Sequence, residues 1–101
     1  MVKVKVESNN GYINKVSISG HAQYDKLGKD IVCASVSSIA ITSINAILSF
    51  YPEGISYQQS EGNLQVVVKE FNKDIDILLT NMVNMLKELE RDYPHYIRII
   101  I

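Results

Sequence analysis

From Ile31 to Pro52 the chain runs for 22 residues without a charge or a glycine. Most of these residues are good or tolerable helix formers, so the stretch predicts a helix of about five turns. Asp30 is its expected N-cap, with the carboxylate accepting a backbone N–H at the second or third helical position. Pro52, Glu53 and Gly54 stop it. A run of this length is long enough to cross a bilayer, but seven of its side chains are Ser, Thr or Asn and no basic cluster flanks it, so no membrane contact is expected. The better account is burial on more than one side. Val32, Val36, Ile39 and Ala46 or Ile47 are expected on one face, and Ile41, Ile44 and Leu48 on another. A sheet covers one side; the second cover is another helix, a second copy of the chain, or both.

The flanking sequence supplies the sheet. Val2, Val4 and Val6 alternate with Lys3, Lys5 and Glu7, which is the pattern of a strand with one face buried. Asn9, Asn10 and Gly11 make a turn, and Tyr12, Ile13, Val16 and Ile18 continue as the second strand of a hairpin. Ile55 to Ser60 and Leu64 to Glu70 predict a second hairpin around Glu61, Gly62 and Asn63. Next comes an amphipathic helix capped by Asn72, whose stripe of Ile75, Leu78, Leu79, Met82, Val83, Leu86 and Leu89 is core. Pro94 ends that region. Tyr96 to Ile101 reads as a last strand, rich in isoleucine and therefore expected at the centre of the sheet. The order β-β-α-β-β-α-β describes an α+β fold, a mostly antiparallel five-stranded sheet with two helices packed on it. At 101 residues, the span 1–101 is expected to be one domain.

Charge narrows the partners. A net charge of -1 and a pI near 6.1 argue against a nucleic-acid binder, because counterion release needs a basic face. The single cysteine excludes an intramolecular disulfide and fits a reducing compartment, so a cytoplasmic location is expected. No apolar segment follows the first lysines, which is not the pattern of a signal peptide.

The chemistry gathers between Gly20 and Ser38. Counting from the Asp30 cap puts Cys33 in the first helical turn, where the N–H groups and the macrodipole favour a thiolate by about 0.3–1 kcal/mol. That alone is too little to make a nucleophile. His21, twelve residues upstream at the end of the second strand, is the candidate for the rest, because an imidazolium beside a thiolate stabilises both charges and then protonates a leaving amine. N–H groups at the helix start are the expected oxyanion donors. Asp30 positions the turn that carries Cys33. Ser37 lies one turn beyond Cys33 on the same face, able to reach substrate or to bond back to the Cys33 carbonyl. Gly20 allows a sharp exit from the strand or simply makes a turn. The loop from Ala22 to Lys29 reads either as an ordinary surface loop or as a lid over substrate, with Gly28 as hinge and Tyr24 contacting the bound chain, and only the resemblance described next favours the lid. His95, beside Pro94, is a surface turn residue. Two other readings stay open: a mixed metal site of His21, Asp25, Asp30 and Cys33, whose spacing matches none of the usual ligand pairs, and a non-catalytic dimeric binding module in which Cys33 is a buried structural residue, a module that the resemblance named next would place in ribosome assembly.

The run G-H-A-x-Y-D-x-x-G-x-D-I-V-C-A-x-V-S closely resembles the signature of the ribosomal-processing cysteine protease family, Prp. Gly20, His21, Ala22, Tyr24, Asp25, Gly28, Asp30, Ile31, Val32, Cys33, Ala34, Val36 and Ser37 carry it. A Y-P-x-Y element at Tyr93, Pro94 and Tyr96 extends the resemblance toward the C-terminus, while Ser35 stands where the signature has a second alanine. The resemblance implies a homodimeric cysteine endopeptidase that removes the N-terminal extension of a large-subunit ribosomal protein, cutting after an aromatic pair. His21 and Cys33 fall on the catalytic positions of that signature, and Gly20, Tyr24, Asp25, Gly28, Asp30 and Ser37 are the expected binding or positioning residues. It implies no metal and no cofactor, and a free ribosomal protein as partner in place of ribosomal RNA.

Overall fold

The computed structural model describes residues 1–26 and 29–101. Valine alternation sets β1 (Val2–Asn9), which pairs antiparallel with β2 (Tyr12–Ser19) across a two-residue turn. Asn10 and Gly11 both take positive φ there, 54° and 83°, the conformation that an Asn-Gly hairpin turn requires. After α1 (Ile31–Phe50), β3 (Ile55–Ser60) and β4 (Asn63–Val68) form the second hairpin, and α2 (Lys73–Asp92) leads to β5 (Ile97–Ile100). The five strands lie in the order β3-β4-β2-β1-β5, antiparallel except for β1 with β5. The expected β-β-α-β-β-α-β order and α+β class are what the chain adopts.

Register explains the two layers. Val4, Ile18 and Leu64 stand opposite one another across three strands, as do Val6, Val16 and Val66, and all six are buried. The alternate residues, among them Lys3, Lys5 and Val67, are exposed on the other side. Both helices therefore cover one face and leave the polar face to solvent. In α1 a single stripe is fully buried, Val32, Val36, Ala40, Ile44 and Ile47; Ile39, Ile41 and Leu48 are only partly covered. The two buried faces expected for this helix thus reduce to one. Its length and apolar composition would suffice to cross a membrane, but here that stripe lies on the sheet. In α2 the buried residues are Ile75, Leu79, Met82, Val83 and Leu86, the expected stripe, with Leu78 and Leu89 half-buried beside it.

One placement differs from the sequence reading. The isoleucine-rich last strand is not central; β5 is the edge beyond β1. Only Ile97 of its residues is buried, while Ile100 and Ile101 are exposed. The α2 crossover brings the chain back parallel to β1, which already pairs with β2 on its other side, so the edge is the position left. The Ile99 N–H donates to the Glu90 carboxylate at 2.7 Å, which occupies a backbone donor at that edge. Where α1 ends and α2 begins, Tyr51 donates its hydroxyl to Asp74 at 2.6 Å, and this bond to a carboxylate holds the phenol above its ordinary range.

Candidate active site

The site starts from the Asp30 cap. Its Oδ1 accepts the N–H groups of Val32 and Cys33, each at 3.0 Å, which fixes the first turn of α1. Its Oδ2 accepts the N–H of Tyr24 at 2.9 Å and, more weakly, that of Asp25 at 3.5 Å, which fixes the preceding loop. One buried carboxylate thus holds both sides of Cys33. Burial would by itself push the Asp30 carboxyl up, but the donors from Cys33, Tyr24, Asp25 and Val32 outweigh it and hold the group below the usual carboxylate value.

The consequence is a backbone donor aimed at sulfur. Ala22, itself buried, directs its N–H at Cys33 Sγ from 3.2 Å, a contact that stabilises negative charge on the sulfur. Cys33 is half-buried and free. The N–H groups of Val32 and Cys33 are occupied by Asp30 Oδ1, and that of Ala34 by the Asp30 carbonyl. The expectation that helix-start N–H groups serve as oxyanion donors is therefore not met at these three positions, because the cap takes them.

Cys33 opens into a cleft of about 270 Å³. The α1 wall is Cys33, Ser37 and Ile41, one turn apart, with Val36 and Ala40 beside them; Val2, Ile18 and Leu64 form an apolar floor. Gly20 and His21 enter from the end of β2. Gly20 has φ +87°, and a side chain there would run into the carbonyl oxygen of Met1, so only glycine makes this exit. Among the described residues no hydrogen bond joins His21 to Cys33; the two share the cleft. Ser37, also in its wall, is exposed. Ser35, the departure from the signature, donates its hydroxyl to the Ile31 carbonyl at 2.7 Å.

Other expected site residues sit behind this cleft. Tyr24 and Asp25 belong to the loop that Asp30 holds, and neither lines the cleft. The Tyr24 ring packs edge-on against Tyr93 and Tyr96, with centroids 5.7 and 5.1 Å away, which connects the loop to the Y-P-x-Y element. Gly28, expected as a hinge, lies outside the described residues. His95 is exposed in the turn after α2. Among the described residues no three His, Cys, Asp or Glu side chains are grouped to hold a metal ion.

A cysteine at a helix start, held by a buried carboxylate and opening with a histidine into one cleft, suits nucleophilic chemistry. Residues 1–98 match the family described as cysteine protease Prp. This chain belongs to that family. It is 31% identical over 103 residues to the ribosomal processing cysteine protease Prp of Staphylococcus aureus, an alignment that covers 98% of this chain and 97% of that protein. The corresponding protein of Bacillus subtilis is 27% identical over 92 residues, with 81% and 80% covered. The crystal structure of the essential ribosomal processing protease Prp from S. aureus with a covalently linked product peptide superposes with a TM-score of 0.94 at 28% identity, over 99% of this chain and 98% of that one. The same S. aureus protease with a substrate peptide gives 0.86 at 28% identity, over 98% and 97%. The chain is accordingly a Prp-family cysteine protease acting on peptides.

One wall of the cleft was not legible in the sequence. Gln59, Ser60, Glu61, Gly62 and Asn63, from the β3–β4 hairpin, close the side opposite α1. Their only local signal is that of a strand end and the turn that follows it. What brings them to His21 is the pairing of β4 with β2, from Lys15 with Val67 to Ser19 with Asn63, a contact between distant segments that no short motif encodes.

Proposed function

We propose that the chain is an endopeptidase that removes the N-terminal extension of a large-subunit ribosomal protein, with Cys33 as nucleophile and His21 as general acid and base. The observation that carries this reading is Cys33 Sγ, held by the Ala22 N–H and opening into the cleft that His21 enters. The names of the S. aureus and B. subtilis relatives point to ribosomal processing as the task.

In this scheme the Cys33 thiolate attacks the scissile carbonyl carbon, forming the S–C bond while the carbonyl π pair moves to oxygen. The Ala22 N–H, directed at Sγ, serves in this scheme as a donor to the oxygen that becomes the oxyanion. Collapse breaks the C–N bond, and the amine leaves with the proton of the His21 imidazolium. His21 then takes a proton from water, whose oxygen attacks the thioester, and Cys33 leaves as thiolate. Because His21 and Cys33 share no hydrogen bond here, their contact forms when the peptide is bound. Asp30 positions the loop and the helix start; Ser37 and Gly20 border the bound chain. Tyr24 and Asp25 act through the loop.

The protease is further read as a homodimer. Ile39, Ala46, Leu78 and Met85 line an uncharged groove between α1 and α2, and Ile31 and Ile77 are exposed on the same helices, a surface suited to a second copy. Sedimentation at micromolar concentration is expected to give twice the chain mass, and a monomer mass overturns this part.

The decisive test is cleavage of a peptide spanning the N-terminal extension of the cognate ribosomal protein. The unaltered chain is expected to cut it, and Cys33→Ala and His21→Ala to abolish cutting while circular dichroism stays unchanged. Cutting that survives Cys33→Ala overturns the mechanism.

A further inference from the structure

The cleft wall contributed by the β3–β4 hairpin contains no residue that the protease scheme uses, yet its Gly62 lies against the His21 ring. Built in ideal geometry, a Cβ on Gly62 would lie 2.9 Å from His21 Nε2, 3.4 Å from Cε1 and 3.5 Å from Cδ2. The tip of the imidazole therefore rests on the bare backbone of Gly62. A second contact binds the same turn to the residue before the histidine: the Gly20 N–H donates to the Gly62 carbonyl at 2.9 Å. Turn and histidine are thus registered at two points, one through backbone and one through the ring.

We propose that Gly62 is a positioning residue for His21, a seat that only glycine provides and that sets where the imidazole stands relative to Cys33 Sγ. The proposal rests on the protease reading above. A methyl at Gly62 meets the far end of a side chain, not fixed backbone, so the turn can survive while the ring moves aside. The cost then falls on proton transfer, since a displacement of about 1 Å in a catalytic group is enough to lose roughly a hundredfold in rate.

Backbone strain is the confounding effect, because Gly62 has φ +69°. The molecule contains its own control. Gly11, in the β1–β2 turn, has φ +83° with nothing within 4 Å of its added Cβ. Gly11→Ala therefore strains a hairpin turn without touching the site. Gly62→Asn supplies the complement, because asparagine tolerates positive φ but still carries the Cβ.

The experiment measures kcat and KM on the ribosomal peptide for Gly62→Ala, Gly62→Asn and Gly11→Ala. It adds NMR of the histidine ring protons, with His95 as the internal reference. In the unaltered protein an NOE between the His21 ring and the Gly62 Hα protons is expected. Both Gly62 variants are expected to lower kcat about ten- to hundredfold with KM within about twofold, and to shift the His21 signals alone. Gly11→Ala should leave kcat and both rings unchanged. Full kcat in the Gly62 variants, an equal loss in Gly11→Ala, or no NOE in the unaltered protein overturns the proposal. If the unaltered chain cuts no peptide, the protease reading fails, whereas the NOE and ring shifts still decide whether Gly62 seats the imidazole.

Discussion

The two helices have the same length, 20 residues, and the same kind of start, yet they serve different ends. Each is capped by an Asx side chain that accepts from the second and third helical N–H groups, Asp30 in α1 and Asn72 in α2. Asn72 has one acceptor oxygen, and both of its bonds, to Asp74 and Ile75, use it. Asp30 has a second oxygen, and that one holds the loop through Tyr24 and Asp25. The rest of each helix follows the same division. α2 has Asp74 and Asp76 in its first turn and Arg91 in its last, complementing its dipole. α1 has no charged residue in either turn. The difference between a cap that only starts a helix and one that also builds a site is one carboxylate oxygen.

If α2 is purely a support, its truncation should cost stability and nothing else. Leu79 is fully buried, so Leu79→Ala is expected to lower unfolding free energy by about 2–5 kcal/mol in urea titrations. Activity per folded molecule should not change. A fall in that specific activity would mean that α2 also shapes the site.

The caps themselves allow a sharper comparison. Asn72→Ala is expected to cost about 1 kcal/mol, the ordinary value for a lost cap. Asp30→Ala strips acceptors from four N–H groups on two segments, so about 2–3 kcal/mol is expected. Only Asp30→Ala should impair peptide cleavage, because only that cap fixes Ala22 against Sγ. Equal activity losses from the two variants would remove the distinction.

How much of this was legible in the sequence follows the range of each interaction. Both caps, both hairpins and the α2 stripe are local, with spacings of two to four residues that alternation and helical period expose directly. The cysteine, the cap and the histidine could be named because a single loop connects them. What local pattern misses is pairing between distant segments. Isoleucine content favoured a central β5, but strand order depends on which edge the α2 crossover reaches. Gly62 looked like any turn residue until β4 paired with β2 and carried it under His21. The oxyanion donors failed for a related reason. The general rule that helix-start N–H groups are free does not anticipate a carboxylate that takes two of them.

Acid separates the caps by charge. The Asp30 carboxyl sits below its ordinary value in the folded chain, so its stabilisation is complete above about pH 4 and is lost as pH falls through the lower folded value. The stability gap between the unaltered protein and Asp30→Asn should therefore stay constant from about pH 7 to 5 and close only below about pH 4. The Asn72 cap carries no charge and contributes no such step. A gap that widens as pH falls from 7 to 5 would place the group's folded value above the ordinary one.

The smallest expected effect concerns the aromatic pair beside each helix start. Phe71, next to the Asn72 cap, packs at a tilt against Tyr12 of β2 with centroids 4.3 Å apart, while Tyr24, in the loop held by Asp30, meets Tyr93 and Tyr96 edge-on. Edge contacts of this kind contribute about 0.5–1.5 kcal/mol, and Tyr24 belongs at the lower end because the residue is 42% exposed. Tyr24→Leu should thus barely move the unfolding midpoint. Its effect should appear in amide exchange, with the Ala22 and Tyr24 N–H groups losing protection because the ring no longer anchors the loop that presents them to Cys33 Sγ and Asp30 Oδ2. Phe71→Leu, which loosens only a hairpin contact, should leave those two amides unchanged. Were both substitutions to speed exchange at Ala22 equally, the loop would be responding to general loosening of the fold. Were neither to do so, the Asp30 carboxylate alone would hold the loop, and the tyrosine cluster would be packing without consequence for the site.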